Sequence, residues 1–167
     1  LDEKTTVAAA YALAQFTEDG RVAGPAPGLQ NAARMAHNLV DPVTGDIAPV
    51  LGTSPNGPDT ETLSTFGSLA DMVANCIALH QVCDQLVRLA GTPGGAPASD
   101  TWQALVNTAR HPWQNVVELF AVSKAGPSPI VPDRVLPPSA WTLALRFVGD
   151  GVSMDGPGNM TVDRDGN

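Results

Sequence analysis

Positive charge is scarce and scattered in this chain. Nine Lys and Arg residues stand against seventeen Asp and Glu, for a net charge of −8, and each basic residue occurs singly. Binding to nucleic acid needs clustered cations that displace counterions from phosphates, and attraction to an anionic bilayer needs a polybasic segment. Neither is present. Charge of either sign is low, at 16% of residues, against the usual quarter. No apolar run approaches the ~20 residues that a membrane-spanning helix requires. Leu1-Asp2-Glu3-Lys4 lacks the charged and apolar regions of a signal peptide, so export would rely on a signal removed or lying upstream.

What is abundant is small and rigid. Hydrophobic residues make up 43% of the 167, and there are 16 Gly and 15 Pro. That length and composition support one domain of ordinary size, or one with an appendage, in which helices pack through small residues and rigid loops join them. Helical spacing starts at Thr6, a potential cap, with Val7, Ala10, Tyr11 and Ala14 on one face, and Glu18-Asp19-Gly20 stops it. Gly24-Pro25-Ala26-Pro27-Gly28 reads as a loop. A second helix spans about Leu29 to Val40, its face formed by Leu29, Ala32, Ala33, Ala36 and Val40. It ends at Asp41-Pro42, because proline disfavours helical geometry in the residue before it. Val43 to Pro58 reads as an ordered loop.

The third helix is capped by Asp59 or Thr60, with Glu61 in its first turn, where a negative charge suits the helix dipole. Leu63, Phe66, Leu69, Ala70, Val73 and Ile77 form its stripe, which continues or restarts after a bend through Val82, Leu86 and Leu89. Ser99 or Asp100 caps a fourth helix carrying Trp102, Leu105, Val106 and Ala109. His111-Pro112 interrupts, and Pro112 then suits the first turn of a fifth helix with Trp113, Val116, Val117 and Phe120. The fold class is therefore mainly α: about five short helices over residues 1–124, a Pro-rich connector over 125–140, and a β segment over 141–167. In that segment, the alternation from Trp141 to Phe147 predicts one strand and Asn159–Asp163 a second. Asp165-Gly166-Asn167 is a hairpin signal at the last residue, which suggests a piece of a longer parent chain.

Several segments, in order, resemble a known family. They are Thr5–Phe16 (TTVAAAYALAQF), Asn38–Asp41, Leu69–Cys76 (LADMVANC) with Cys83, Ala98–Leu105 (ASDTWQAL), His111–Val116 (HPWQNV) and Pro138–Leu145 (PSAWTLAL). Together they resemble a helical module that stands N-terminal to NHL or streptogramin-lyase-like β-propeller repeats in large secreted bacterial proteins, often after a β-sandwich domain. Gly156–Asn167 resembles the first half of such a repeat. The resemblance implies export, to the cell surface or beyond, and a propeller neighbour. It carries no catalytic residues for this module, and none are assigned.

In the resembling proteins two cysteines flank a loop at the place of Cys76 and Cys83, which suggests a disulfide, as do export and the even cysteine count. Seven residues of unbroken helix separate Cα atoms by ~10.5 Å, whereas a disulfide allows at most ~7 Å. A bridge therefore predicts a break in the helix between Ile77 and Val82. Two alternatives stay open. Cys76, His80 and Cys83 at i, i+4 and i+7 would line up soft ligands for zinc or cuprous copper, although no fourth ligand is adjacent. Both thiols could also be free and buried.

Other candidates have plain explanations. His37 and His111 suit structural roles, and Ser64, Ser68 and Ser123 lie in no nucleophile motif. Asp163–Asn167 lacks the distal ligands of a calcium loop. Gly156-Pro157-Gly158 lacks the Lys-Ser/Thr ending of a phosphate loop. Asn159-Met160-Thr161 is a glycosylation sequon, given little weight in a bacterial protein. Trp102 and Trp113 read as core anchors on their helices, and Trp141 as an interface residue. Trp141, Leu143, Leu145, Phe147, Met160 and Val162 are the interface candidates. The expected function is a non-catalytic structural or interaction module, without cofactor. Its partners would be other domains or subunits of the same surface protein, or further copies, through residues 125–167. The alternatives are an accessory domain of a propeller lyase and a small Cys/His metal module.

Overall fold

A computed structural model describes residues 2–126 and 134–148. Among them the chain is mainly helical. In order come α1 (Glu3–Leu13), a single 3-10 turn (Ala14–Phe16), β1 (Thr17–Glu18), β2 (Arg21–Val22), α2 (Ala26–Ala36), α3 (Pro49–Gly52), α4 (Thr62–Ala78), α5 (His80–Leu89), α6 (Thr101–Arg110) and α7 (Val116–Ser123).

Helix α1 is capped by Asp2, four residues before the expected cap Thr6. The Asp2 carboxylate accepts from the Thr5 amide at 2.7 Å, and the Thr5 hydroxyl accepts from the Asp2 amide at 2.9 Å. This reciprocal box satisfies two of the orphan donors at the helix end. Thr6 does not cap; its hydroxyl donates to the Asp2 carbonyl. Burial opposes charge on Asp2, but hydrogen bonds to the carboxyl from the Thr5 amide and hydroxyl, with neighbouring Lys4, outweigh it and hold the carboxyl below its usual range. Past the 3-10 turn, Asp19 and Gly20 both take positive φ, +48° and +73°. That is the backbone of a two-residue hairpin turn, and it pairs Thr17 with Val22 and Glu18 with Arg21. From sequence alone Glu18-Asp19-Gly20 reads only as a helix stop.

Helix α2 begins earlier than expected because Pro27 fits a first helical turn. It ends at Ala36, so Leu39 and Val40 reach the core from the following turn. The expected apolar face is only partly right: Ala32 is buried and Ala33 exposed. The loop after it contains the short α3, whose Leu51 is fully buried.

Helix α4 is the axis of the fold. Residues around nearly its whole circumference are buried, including Phe66, Gly67, Leu69, Met72, Val73 and the polar Ser68, Asp71 and Asn75. It packs against α1, α5 and α7. Its N-cap position is held by neither Asp59 nor Thr60 but by Glu61, whose side chain makes no capping bond. Leu79 adopts φ −132° and ψ 101°, an extended conformation that ends α4 and starts α5 within the interval where a break is expected.

Asn75 shows how the helices are locked. Its amide donates to the carbonyls of Val122 and Ser123 at the end of α7, both at 3.0 Å, where intrahelical donors run out. Gly126 lies so close to Asn75 that any Cβ there would collide with the amide. Asn75→Ala should lower unfolding free energy by about 1–3 kcal/mol, the cost of leaving the Ser123 carbonyl without its donor, since Val122 keeps the Ala125 amide. Asn75→Asp should cost more, since a carboxylate faces those oxygens with no donor. Urea titration of the two variants checks the order.

Helix α6 is capped by Asp100, which accepts from the Gln103 amide at 2.8 Å, as expected. Helix α7 departs from expectation. It starts at Val116, not Pro112, because Asn115 is left-handed at φ +47° and spends its side chain on the Leu89 carbonyl at 2.7 Å.

Candidate functional site: a pinned extended segment

The segment from Trp141 to Phe147 is the expected strand, yet it pairs with no strand among the described residues. Side chains from the helical body hold it instead. The Trp141 amide donates to the Pro112 carbonyl at 2.7 Å, and the Tyr11 hydroxyl donates to the Trp141 carbonyl at 3.0 Å. Thr62 Oγ1 donates to the Ala144 carbonyl at 2.7 Å. Asn56 grips Arg146 twice: its amide nitrogen donates to the carbonyl at 2.9 Å, and its oxygen accepts from the amide at 2.6 Å. Four parts of the body thus hold one short stretch: α1, α4, the turn after α6, and the loop after α3. Burial pushes the Tyr11 hydroxyl pKa well up, so it stays a donor at any physiological pH.

Upstream, Arg134 makes a second anchorage. Its guanidinium meets the Glu61 carboxylate at 3.1 Å and donates to the hydroxyls of Ser64 and Thr65 at 3.1 and 3.3 Å. These groups lie at the start of α4.

The tryptophans reverse the expected assignment. Trp141 is 0% exposed and belongs to the main core, so it is an anchor of the segment and not an exposed contact residue. Trp113 is 71% exposed, because the late start of α7 leaves it in a turn. Trp102 packs partly buried against the core, as read. Among the other interface candidates, Leu143 and Leu145 are half-buried and pack on the core. They help to line an apolar cleft of about 100 Å³ with Tyr11, Met35 and Leu39. Phe147 is 64% exposed. Met160 and Val162 lie outside the described residues, as do Asn159–Asp163 and the terminal hairpin signal.

Cys76 and Cys83 are joined as a disulfide, their Cα atoms 3.9 Å apart. The extended Leu79 folds α5 back and makes that approach possible. The metal reading fails on this chemistry, since the thiolates it needs are consumed in the bond. His80 points to solvent, its side chain 94% exposed, 3.9 Å from Asp84. No group of three or more His, Cys, Asp or Glu among the described residues could hold a metal ion.

Nor do the remaining candidates assemble a catalytic pair. Ser64, Ser68 and Ser123 each donate to a carbonyl of their own helical turn. His37 is exposed. His111 packs edge-on against Trp113, and its main chain, not its ring, closes the end of α6. A wider groove of about 780 Å³ lies between the small hairpin and Arg110, but the Arg110 guanidinium is committed to the carbonyls of Ala14 and Thr17.

Sequence reasoning did not find Tyr11, Asn56, Thr62 or Arg134. Asn56 carries the one local signal, an Asn-Gly-Pro turn. Its side chain is 1% exposed and also donates to the Val50 carbonyl. Asn56→Ala should strand the Arg146 amide and two carbonyls at a cost of about 1–3 kcal/mol. It should also free the segment locally, so trypsin should cut after Arg146 faster in this variant under native conditions. An unchanged cutting rate would show that Asn56 does not hold the segment.

No protein-family model matches the chain, and neither a curated protein nor a solved structure matches it significantly. No helix among the described residues is long and apolar enough to cross a membrane.

Proposed function

We propose that this chain is a non-catalytic interaction module of a larger extracellular or cell-surface protein, which spaces and orients a neighbouring domain. The observation that supports this most is the pinning of residues 134–148. A segment fixed by Arg134, Trp141, Ala144 and Arg146 to a helical body gives whatever it joins a set direction, which a flexible linker would not. Exposed Phe147 and Val148, together with the amides of Leu143, Leu145 and Phe147, which meet no acceptor among the described residues, provide a face on which a neighbour can settle. The neighbour that the family resemblance suggests is a β-propeller. The cysteine pair at bonding distance fits an oxidising compartment.

Hydrogen exchange tests the reading, comparing the 167-residue chain alone with the protein extracted from its natural source. Alone, the Trp141 and Arg146 amides should be protected and those of Leu143, Leu145 and Phe147 should exchange fast. In the natural protein these last three should slow severalfold. Equal exchange in both would end the interaction reading for this segment.

A further inference from the structure

The contacts that hold residues 141–146 are directed at main-chain atoms. Tyr11 and Thr62 donate to carbonyls, and Asn56 takes both the carbonyl and the amide of one residue. This is how a peptide-binding groove reads an extended chain: polar groups fix the backbone, and pockets select alternate side chains. Here the selection comes from the fully buried Trp141 and the half-buried Leu143 and Leu145.

The held segment has almost no structure of its own to lose. Among the described residues, the one main-chain-to-main-chain hydrogen bond that residues 134–148 make is from Trp141 to Pro112. Release would therefore break contacts with the body and no ladder or helix. Every one of those contacts can re-form, unchanged, with the same segment of another copy.

We propose that the groove formed by Tyr11, Asn56, Thr62 and the Trp141 pocket is a receptor for this segment from a second copy of the chain, giving an arm-exchanged dimer. The occupant follows from the structure, because the groove already holds this sequence with its anchor buried. The inference rests on the reading of residues 134–148 as an interaction segment and adds the partner. It needs no neighbouring domain.

The test uses the full 167-residue chain with a photoreactive benzophenone amino acid in place of Phe147. That side chain is exposed and lies beside Pro49, Val50 and Pro55, so the fold tolerates the probe. Unlabelled and ¹⁵N-labelled chains are mixed in equal amounts, unfolded and refolded together under oxidising conditions, irradiated and digested. Cross-links from residue 147 of one isotope to residues 49–56 of the other are expected, with a matching dimer by light scattering. Cross-links within one isotope only would overturn the proposal. So would mixed cross-links that land elsewhere on the partner, which would mark an ordinary contact between copies. Neither of these failures would touch the exchange result for the natural protein, so the two ideas fall separately.

Discussion

Replacing Trp141 with alanine should lower unfolding free energy by about 3–5 kcal/mol, the range for emptying a large aromatic site. At roughly 2–4 °C per kcal/mol for a chain of this size, the melting temperature should drop by about 6–20 °C. The side chain is 0% exposed and is counted among the largest fully buried groups beside Phe66, Leu51 and Leu69. Its loss removes packing for parts of the core far apart in sequence. Trp141→Phe should behave differently. The indole Nε1 is buried without a hydrogen-bond partner among the described residues, and a stranded buried donor costs about 1–3 kcal/mol. Phenylalanine gives up contact area but also removes that donor. Its net cost should therefore be well under half that of alanine. Calorimetry on the two variants decides the point. Equal losses would mean that the indole ring's full shape, not the burial of an aromatic group, supports the core.

That residue also shows where the sequence stops being informative. Alternation from Trp141 to Phe147 marks an extended chain, and the chain is extended. Pairing is a different matter, because it depends on what lies alongside. The partners here are Tyr11, 130 positions away, Asn56, 90 away, and Thr62, 82 away from its acceptor. Nothing local to Trp141 encodes that Pro112 will present its carbonyl. Helix periodicity alone assigns Trp113 to the core, and the start of a strand after the prolines assigns Trp141 to an interface. Asn115 delays α7 and leaves Trp113 exposed, while the body closes over Trp141 and buries it.

Where the deciding interaction is local, the sequence is legible. Asp100 caps α6 because its carboxylate reaches an amide three residues on. The stripe of α4 from Phe66 to Val73 is buried as its 3.6-residue period requires, whereas Ile77, in the last turn, is exposed. The missed hairpin at Thr17–Val22 was also local, and its Asp-Gly turn was visible. Only its length, two residues a side, made it too short for a strand pattern. The candidate site was less legible than the fold. It is built from single polar side chains reaching across the molecule, a feature that leaves no periodic trace.

Removing the Cys76–Cys83 bond should be the second large effect. The bond joins residues seven apart, and closing so small a loop restricts the unfolded chain by about 2.5 kcal/mol on the chain-entropy account. The native side adds to this, because the bond ties the end of α4 to the start of α5 across the extended Leu79. Cys76 is 6% exposed, so alanine is a better replacement than serine, whose hydroxyl would be buried with Thr101 Oγ1 as its nearest polar neighbour. The double variant Cys76→Ala/Cys83→Ala should therefore lose roughly 5–10 °C in melting temperature, and reduction of the natural chain should produce a similar drop. In hydrogen exchange the loss should concentrate at residues 76–86, where the corner between α4 and α5 opens first. A melting temperature indifferent to reductant would mean that the packing of Val82 and Leu86 against the core, both buried, already holds α5 in place. The disulfide would then matter for reaching the fold rather than for keeping it. Refolding rates in the presence and absence of an oxidant separate those two roles.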